Sequence, residues 1–270
     1  MVMGELVFVG MGLHDERDLS IKGIEEIKSS DKVFVELYTS LMAGLNLNSL
    51  ERICGKELHK LSRRDLEDYG GEIVLKAASS GKAALLVPGD PMIATTHVDL
   101  RIRAERKGIK TRIVHAPSIL SAVIGLSGLQ SYKFGRCVTI PFPERRMLSE
   151  TPYRVIADNK MLGLHTLCLL DIIVEEELYM TVNEGLKYLM EIEKRKKKGI
   201  LSGCSLAVGV ARAGSAEPVV KADIIERLID FDFGPPPHSL IIPGKLHFVE
   251  AEALVALAKA PEEVLRKEHG

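Results

Sequence analysis

Short unbroken apolar runs alternate with amphipathic stretches through the first half of the chain. Leu6-Val7-Phe8-Val9 and the run Ala83 to Val87 are too short and too uniformly apolar for surface helices, so they predict buried strands. Lys32 to Glu36 and Arg112-Ile113-Val114 read as two more strands. Between them Ile21, Ile24 and Ile27 recur at helical spacing, and residues 65–80 and 95–107 predict helices, with Gly70-Gly71 weakening the first of these two. Strands and helices alternating at this length predict a largely parallel sheet covered on both faces.

After His115-Ala116-Pro117-Ser118 the texture changes. A small-residue helix is expected over residues 118–128, then a strand over 136–140 and a Pro-containing loop over 141–152. Longer strand candidates follow at residues 163–173, 205–211 and 239–242, with helices near 181–198, 222–229 and 246–258. The expected domains are 1–116 and 117–270, both α/β.

Composition adds mainly exclusions. The 270 residues carry 46% hydrophobic and 27% charged side chains, enough for a substantial core. A formal net charge of −1 gives no basis for nucleic acid or an anionic membrane as main partner. No apolar stretch approaches the roughly 18 residues of a membrane span. The cysteines at 54, 137, 168 and 204 show no C-x-x-C spacing, so reduced thiols of a cytoplasmic protein are expected, with no metal site. The basic run Lys194 to Lys198 falls at an expected helix end, where cations suit the dipole.

The chemistry-bearing segments are turns. Pro88-Gly89-Asp90-Pro91 follows a strand and precedes a helix, the place where open α/β sheets bind ligands. Gly10-x-Gly12 after the first strand, with Glu36 ending the second, suggests a dinucleotide fold, but Asp15 occupies the position where that fingerprint needs its third Gly. Ser118 lacks a nucleophile-elbow frame, and the histidines show no H-x-x-x-H pair. His14, His97, His115 and His238 lie near turns or strand ends and could line a cleft. A chain without an acid–base set suits a reaction whose reagent is already activated. Gly209 to Ser215 and Pro235 to Gly244 add two small-residue turns suited to close approach by a flat ligand.

Together these segments resemble the tetrapyrrole methylase superfamily, the class III S-adenosylmethionine-dependent methyltransferases. The likeness rests on Gly10 to Asp18, Glu36 to Met42, Pro88 to His97 and His115 to Ser118. It continues through Tyr132 to Gly135, Ala211 to Ser215 and Pro236 to His247. Ring methylases of that superfamily show G-x-G-P-G-D in the first loop; here Leu13-His14 replaces the Pro-Gly, and the Glu36 to Ser40 run is similar to the diphthine synthase branch. The resemblance implies a two-domain fold with a parallel-rich N-terminal sheet and a mixed C-terminal sheet, a homodimer, and S-adenosylmethionine in the cleft between domains. Carried over residue by residue, it implies cofactor contacts at Leu13, Asp90, Ile93, Ser118, Ile119, Leu170, Ala213 and His238. Asp171 is a candidate for holding or deprotonating an acceptor amine. The implied reaction is methylation of the amino group of a modified histidine on translation elongation factor 2, in diphthamide biosynthesis. A tetrapyrrole methyltransferase and a non-catalytic nucleotide-binding module are the competing readings. Residues 141–152 and Glu36 to Met42 are expected docking edges for a protein substrate.

Overall fold

A computed structural model describes residues 4–143 and 147–266. The chain divides into two compact units, Met1–Ile119 and Leu120–Gly270. Of the expected docking loop 141–152, residues 144–146 lie outside the described ones.

The first unit runs β1 (Glu5–Gly10), α1 (Ile21–Lys28), β2 (Lys32–Glu36), α2 (Leu47–Cys54), β3 (His59–Leu61), α3 (Arg63–Leu66), α4 (Glu72–Ser80), β4 (Lys82–Val87), α5 (His97–Arg106) and β5 (Lys110–Val114). Its five strands are all parallel, in the order β3-β2-β4-β1-β5. Alternate residues of each strand point to opposite faces, and both faces are buried. Leu6, Phe8, Leu85 and Val87 pack with Val74, Leu75, Leu100 and Ala104 of α4 and α5. Val7, Val9, Val35 and Leu86 pack with Ile27, Leu50 and Cys54 of α1 and α2. The chain therefore leaves β1 and β2 over one face and β4 over the other. Loops diverging from neighbouring strand ends open a crevice at the carboxyl edge of the sheet.

The second unit holds α6 (Ile119–Ser127, beginning at the division), β6 (Val138–Ile140), α7 (Thr151–Met161), β7 (Thr166–Leu170), β8 (Ile172–Ile173), β9 (Leu178–Tyr179), α8 (Val182–Lys196), β10 (Leu206–Ala211), β11 (Val219–Ile224), α9 (Ile225–Leu228), β12 (His238–Ile242), α10 (Phe248–Ala258) and α11 (Glu263–Arg266). Its main sheet is mixed, ordered β11-β10-β12-β7-β6, with only β6 and β7 parallel. The C-terminal ends of β6, β7 and β10 therefore share one edge with the start of β12.

Several expected elements differ. Residues 65–80 form two helices, because Gly70 and Gly71 both take positive φ (61° and 67°) and turn the chain between them. The helix expected near 222–229 is only Ile225–Leu228; Val219–Ile224 is a strand in full antiparallel register with β10, where β-branched residues pack well. The long strand expected over 163–173 is cut at both ends, leaving Thr166–Leu170 and a short Ile172–Ile173. The expected loop 141–152 ends in the start of α7, whose second residue, Pro152, sits where its missing N–H costs no helical bond.

Candidate functional site

At the carboxyl edge of the first sheet, the loops after β1 and β4 are tied to each other. Met11 N–H donates to Val87 O (2.8 Å), and Gly12 and Gly89 exchange hydrogen bonds (Gly89 N to Gly12 O 2.7 Å, the reverse 3.4 Å). A side chain on Gly10 would meet Gly89 O and Ala116 Cβ, both at 2.6 Å, so the bare backbone lets three loops converge. The first loop is then ordered from within: Asp18 Oδ2 accepts from Leu13 N (2.9 Å) and His14 N (2.8 Å). The side chain of Leu13 is left half-buried at the edge.

Asp90 is buried and fully engaged. Its Oδ1 accepts from Met92 N (3.0 Å), closing the turn, and its Oδ2 accepts from His115 Nδ1 (2.7 Å) and Ala116 N (3.4 Å). The carboxylate thus pins the β4 loop to the end of β5, and its action on any ligand is through the loops it holds. Ile93 projects from the same loop, partly exposed, and Gly89 has open space where a side chain would stand. Ser118 and Ile119 follow directly, at the start of α6. The structure therefore gathers Leu13, Asp90 and Ile93 on one edge, with His115 and Ala116 against them.

Glu36 closes the second strand in a dry network. Its carboxylate accepts from Tyr38 N (3.1 Å), Thr39 N (3.2 Å), Thr39 Oγ1 (2.6 Å) and His97 Nε2 (3.1 Å). Glu36 and His97 are both buried. The pair fastens the exit of β2 to the first turn of α5, so His97 serves as a link between loops.

In the second unit Leu170, Ala213 and His238 lie at or just beyond the shared strand edge. The Leu170 side chain belongs to the core, packed closely enough on α8 that a Cβ on Gly185 would meet it at 2.8 Å. Only its backbone can face a ligand. The His238 imidazole is committed to its own loop. Nδ1 accepts from Val182 N (3.3 Å), so Nε2–H donates to Gly234 O (3.0 Å) and Pro235 O (3.2 Å). Burial pushes its pKa down, holding it neutral. Arg212, at φ 52°, ties the neighbouring turn to the same loop through Phe233 O (2.9 Å) and Pro235 O (2.7 Å). Two residues after Ala213, the buried Ser215 hydroxyl has no hydrogen-bond partner among the described residues. Within the second unit that orphan polar atom suits a polar ligand group. Asp171 accepts from Phe142 N (2.9 Å) and Ile172 N (3.0 Å), so its carboxylate holds the chain after β6 in place.

Residues 5–225 match the tetrapyrrole (corrin/porphyrin) methylase family. The diphthine synthase of Methanosarcina acetivorans is 50% identical over 267 residues, covering 97% of this chain and 99% of that one. The chain belongs to the diphthine synthase branch of that family. The diphthine synthase of Methanocaldococcus jannaschii is 49% identical, covering 94% of this chain and 99% of its own. A crystal structure of a diphthine synthase superposes with TM-score 0.87 at 42% identity, covering 97% and 99% of the two chains. Membership makes the chain a methyltransferase. The features that a motif search by residue type passes over are the roles of Asp18 and Ser215, and the loop-fastening role of Glu36. Asp18 and Glu36 belong to segments already singled out, but their partners are set by loop geometry.

Proposed function

We propose that this chain uses S-adenosylmethionine to methylate the amino group of the modified histidine of elongation factor 2, in diphthamide biosynthesis. The observation that carries the reading is the near-full-length identity of about one half to diphthine synthases. The replacement of Pro-Gly by Leu13-His14 in the first loop supports it against a tetrapyrrole acceptor. We place the enzyme in the cytoplasm as a homodimer; among the described residues no helix is long and apolar enough to cross a membrane.

The cofactor supplies an electrophilic methyl group. Leu13, Ile93 and the backbone of the Pro88–Pro91 turn would hold it in the first unit, with Ser118 and Ile119. Leu170 and Ala213 would hold it through the second, with His238 and Arg212 setting the shape of that edge. The remaining work of the protein is to hold a neutral amine in line and to exclude water. Neither Asp90 nor Asp171 has a carboxylate oxygen free of backbone or imidazole donors, so positioning dominates over proton transfer by these groups.

The decisive assay is transfer of labelled methyl to elongation factor 2 carrying the aminocarboxypropyl-histidine side chain, with mass spectrometry of the product. Labelling of a tetrapyrrole instead would overturn the reading. Asp90→Ala is expected to weaken S-adenosylhomocysteine binding by about 1–3 kcal/mol, because it releases the β4 loop from His115 and Ala116. Calorimetry showing unchanged affinity would remove that loop from the site.

A further inference from the structure

Tyr38 follows β2 at the carboxyl edge of the first sheet, outward of the cofactor candidates in the strand order β3-β2-β4-β1-β5. Its ring is in the core, 5% exposed, yet among the described residues its hydroxyl has no hydrogen-bond partner. The Thr96 side chain approaches it without completing a hydrogen bond. Burial raises the phenol's pKa above its ordinary value, so the group remains a proton donor with nothing to donate to. Leaving such a donor unsatisfied costs stability, and native folds seldom do it without a use.

Two further groups lie against the Tyr38 side chain. The Arg63 guanidinium, exposed at the start of α3, lies 5.3 Å from the Tyr38 ring centroid and has no ion-pair partner among the described residues. Thr96 occupies the N-cap of α5 and its side chain makes no capping bond, while its carbonyl accepts from Asp99 N (3.1 Å). The buried Glu36 and, one turn beyond Arg63, Glu67 also act electrostatically on Tyr38. A planar cation, two hydroxyl donors and a helix N-terminus suit a carboxylate, and the nearby Glu67 suits an accompanying ammonium.

We infer that Tyr38, Arg63 and Thr96 form a recognition point for the carboxylate of an amino-acid group on the methyl acceptor. The inference rests on the proposed function. An aminocarboxylate could come from the acceptor or from the cofactor itself. Tyr38 and Arg63 follow β2 and β3, outward of β4 and β1 in the strand order, while Thr96 ends the β4 loop that carries Asp90 and Ile93; a point reaching outward from that loop favours the acceptor.

The test compares wild type with Tyr38→Phe and Arg63→Ala, using elongation factor 2 with the aminocarboxypropyl-histidine side chain. S-adenosylhomocysteine affinity is measured by calorimetry and stability by thermal melting. Each variant is expected to lose about tenfold or more in kcat/KM for the acceptor. Cofactor affinity should stay within about twofold, and Tyr38→Phe should melt no lower than wild type, since it removes an unsatisfied donor. An acceptor whose carboxylate is converted to the amide should lose activity with wild type and lose little more with the variants. Unchanged acceptor kinetics would overturn the inference, as would a loss confined to cofactor affinity. So would a drop in melting temperature for Tyr38→Phe with kcat/KM intact. Absence of methyl transfer by wild type would instead remove the functional reading beneath it.

Discussion

Glu250→Gln is expected to destabilise the second unit by about 3–5 kcal/mol, the cost of breaking a buried charge network by altering one member. Glu250 and His165 are both fully buried. The carboxylate accepts from Gln130 N (2.9 Å), His247 N (2.8 Å) and His165 Nε2 (2.9 Å), and pairs with the Lys133 ammonium. Gly244 N donates to His165 Nδ1 (3.0 Å), so the imidazole is neutral with its proton on Nε2. One side chain thereby joins the chain after α6, the start of β7, the loop after β12 and the cap of α10. A glutamine would turn its amide hydrogens toward donors already in place.

The same network sets an acid limit. Lys133 and the surrounding N–H donors outweigh the desolvation of Glu250, holding its pKa down at about 2 against an ordinary 4.5. A group depressed in the folded state contributes stability that is fully present above pH 4.5. That stability is lost as pH falls toward 2, and amounts to about 3 kcal/mol. Burial also depresses His165 below its ordinary 6.5. On unfolding the imidazole takes up a proton, so stability starts to fall once the pH drops below 6.5. Wild type should therefore lose stability gradually from pH 6.5 and more steeply below 4.5. Glu250→Gln should start lower and lack the steep limb. Equilibrium urea unfolding across pH 3–8 measures both, and parallel curves for the two proteins would contradict the assignment.

The parallel half of the fold was legible because its strands are buried on both faces and read as plain apolar runs bounded by turns. The second half was harder for a physical reason. Val219 to Ile224 and Ile225 to Leu228 form one mixed stretch, with Lys221, Asp223, Glu226 and Arg227 among its apolar residues, and its first part pairs with β10 as a strand. Pro152 read as a loop residue, yet in the first turn of a helix it is favoured. In the site, the turns were visible as Gly, Pro and Asp clusters. The work of their side chains was not. Asp90 and His238 read as ligand contacts, and their side chains also hold loops, while the unsatisfied Tyr38 hydroxyl lay within a run singled out only by resemblance. Sequence spacing marks where loops converge; which polar atoms remain unpaired is decided by tertiary packing.

Gly12→Ala is expected to weaken cofactor binding roughly 30- to 1000-fold, corresponding to about 2–4 kcal/mol. Gly12 has φ 82°, and a Cβ there would lie 2.2 Å from Asp18 Cβ. The left-handed backbone alone costs alanine about 1–2 kcal/mol. Overpacking against Asp18 adds about 1–3 kcal/mol, because Asp18 cannot retreat without releasing Leu13 N and His14 N. The first loop would then leave its pairing with Gly89, and the loops after β1 and β4 would lose register together. Gly55→Ala is the matched control. Gly55 is also left-handed, at φ 61°, but nothing lies within 4 Å of the added methyl, and it closes α2 at the other end of that helix from the loop. It should cost about 1 kcal/mol of stability and leave affinity intact. Calorimetry with S-adenosylhomocysteine on both variants separates backbone strain from loop displacement. Equal affinities for the two would mean that the Gly10-Met11-Gly12 turn shapes the fold of the first unit without touching the cofactor.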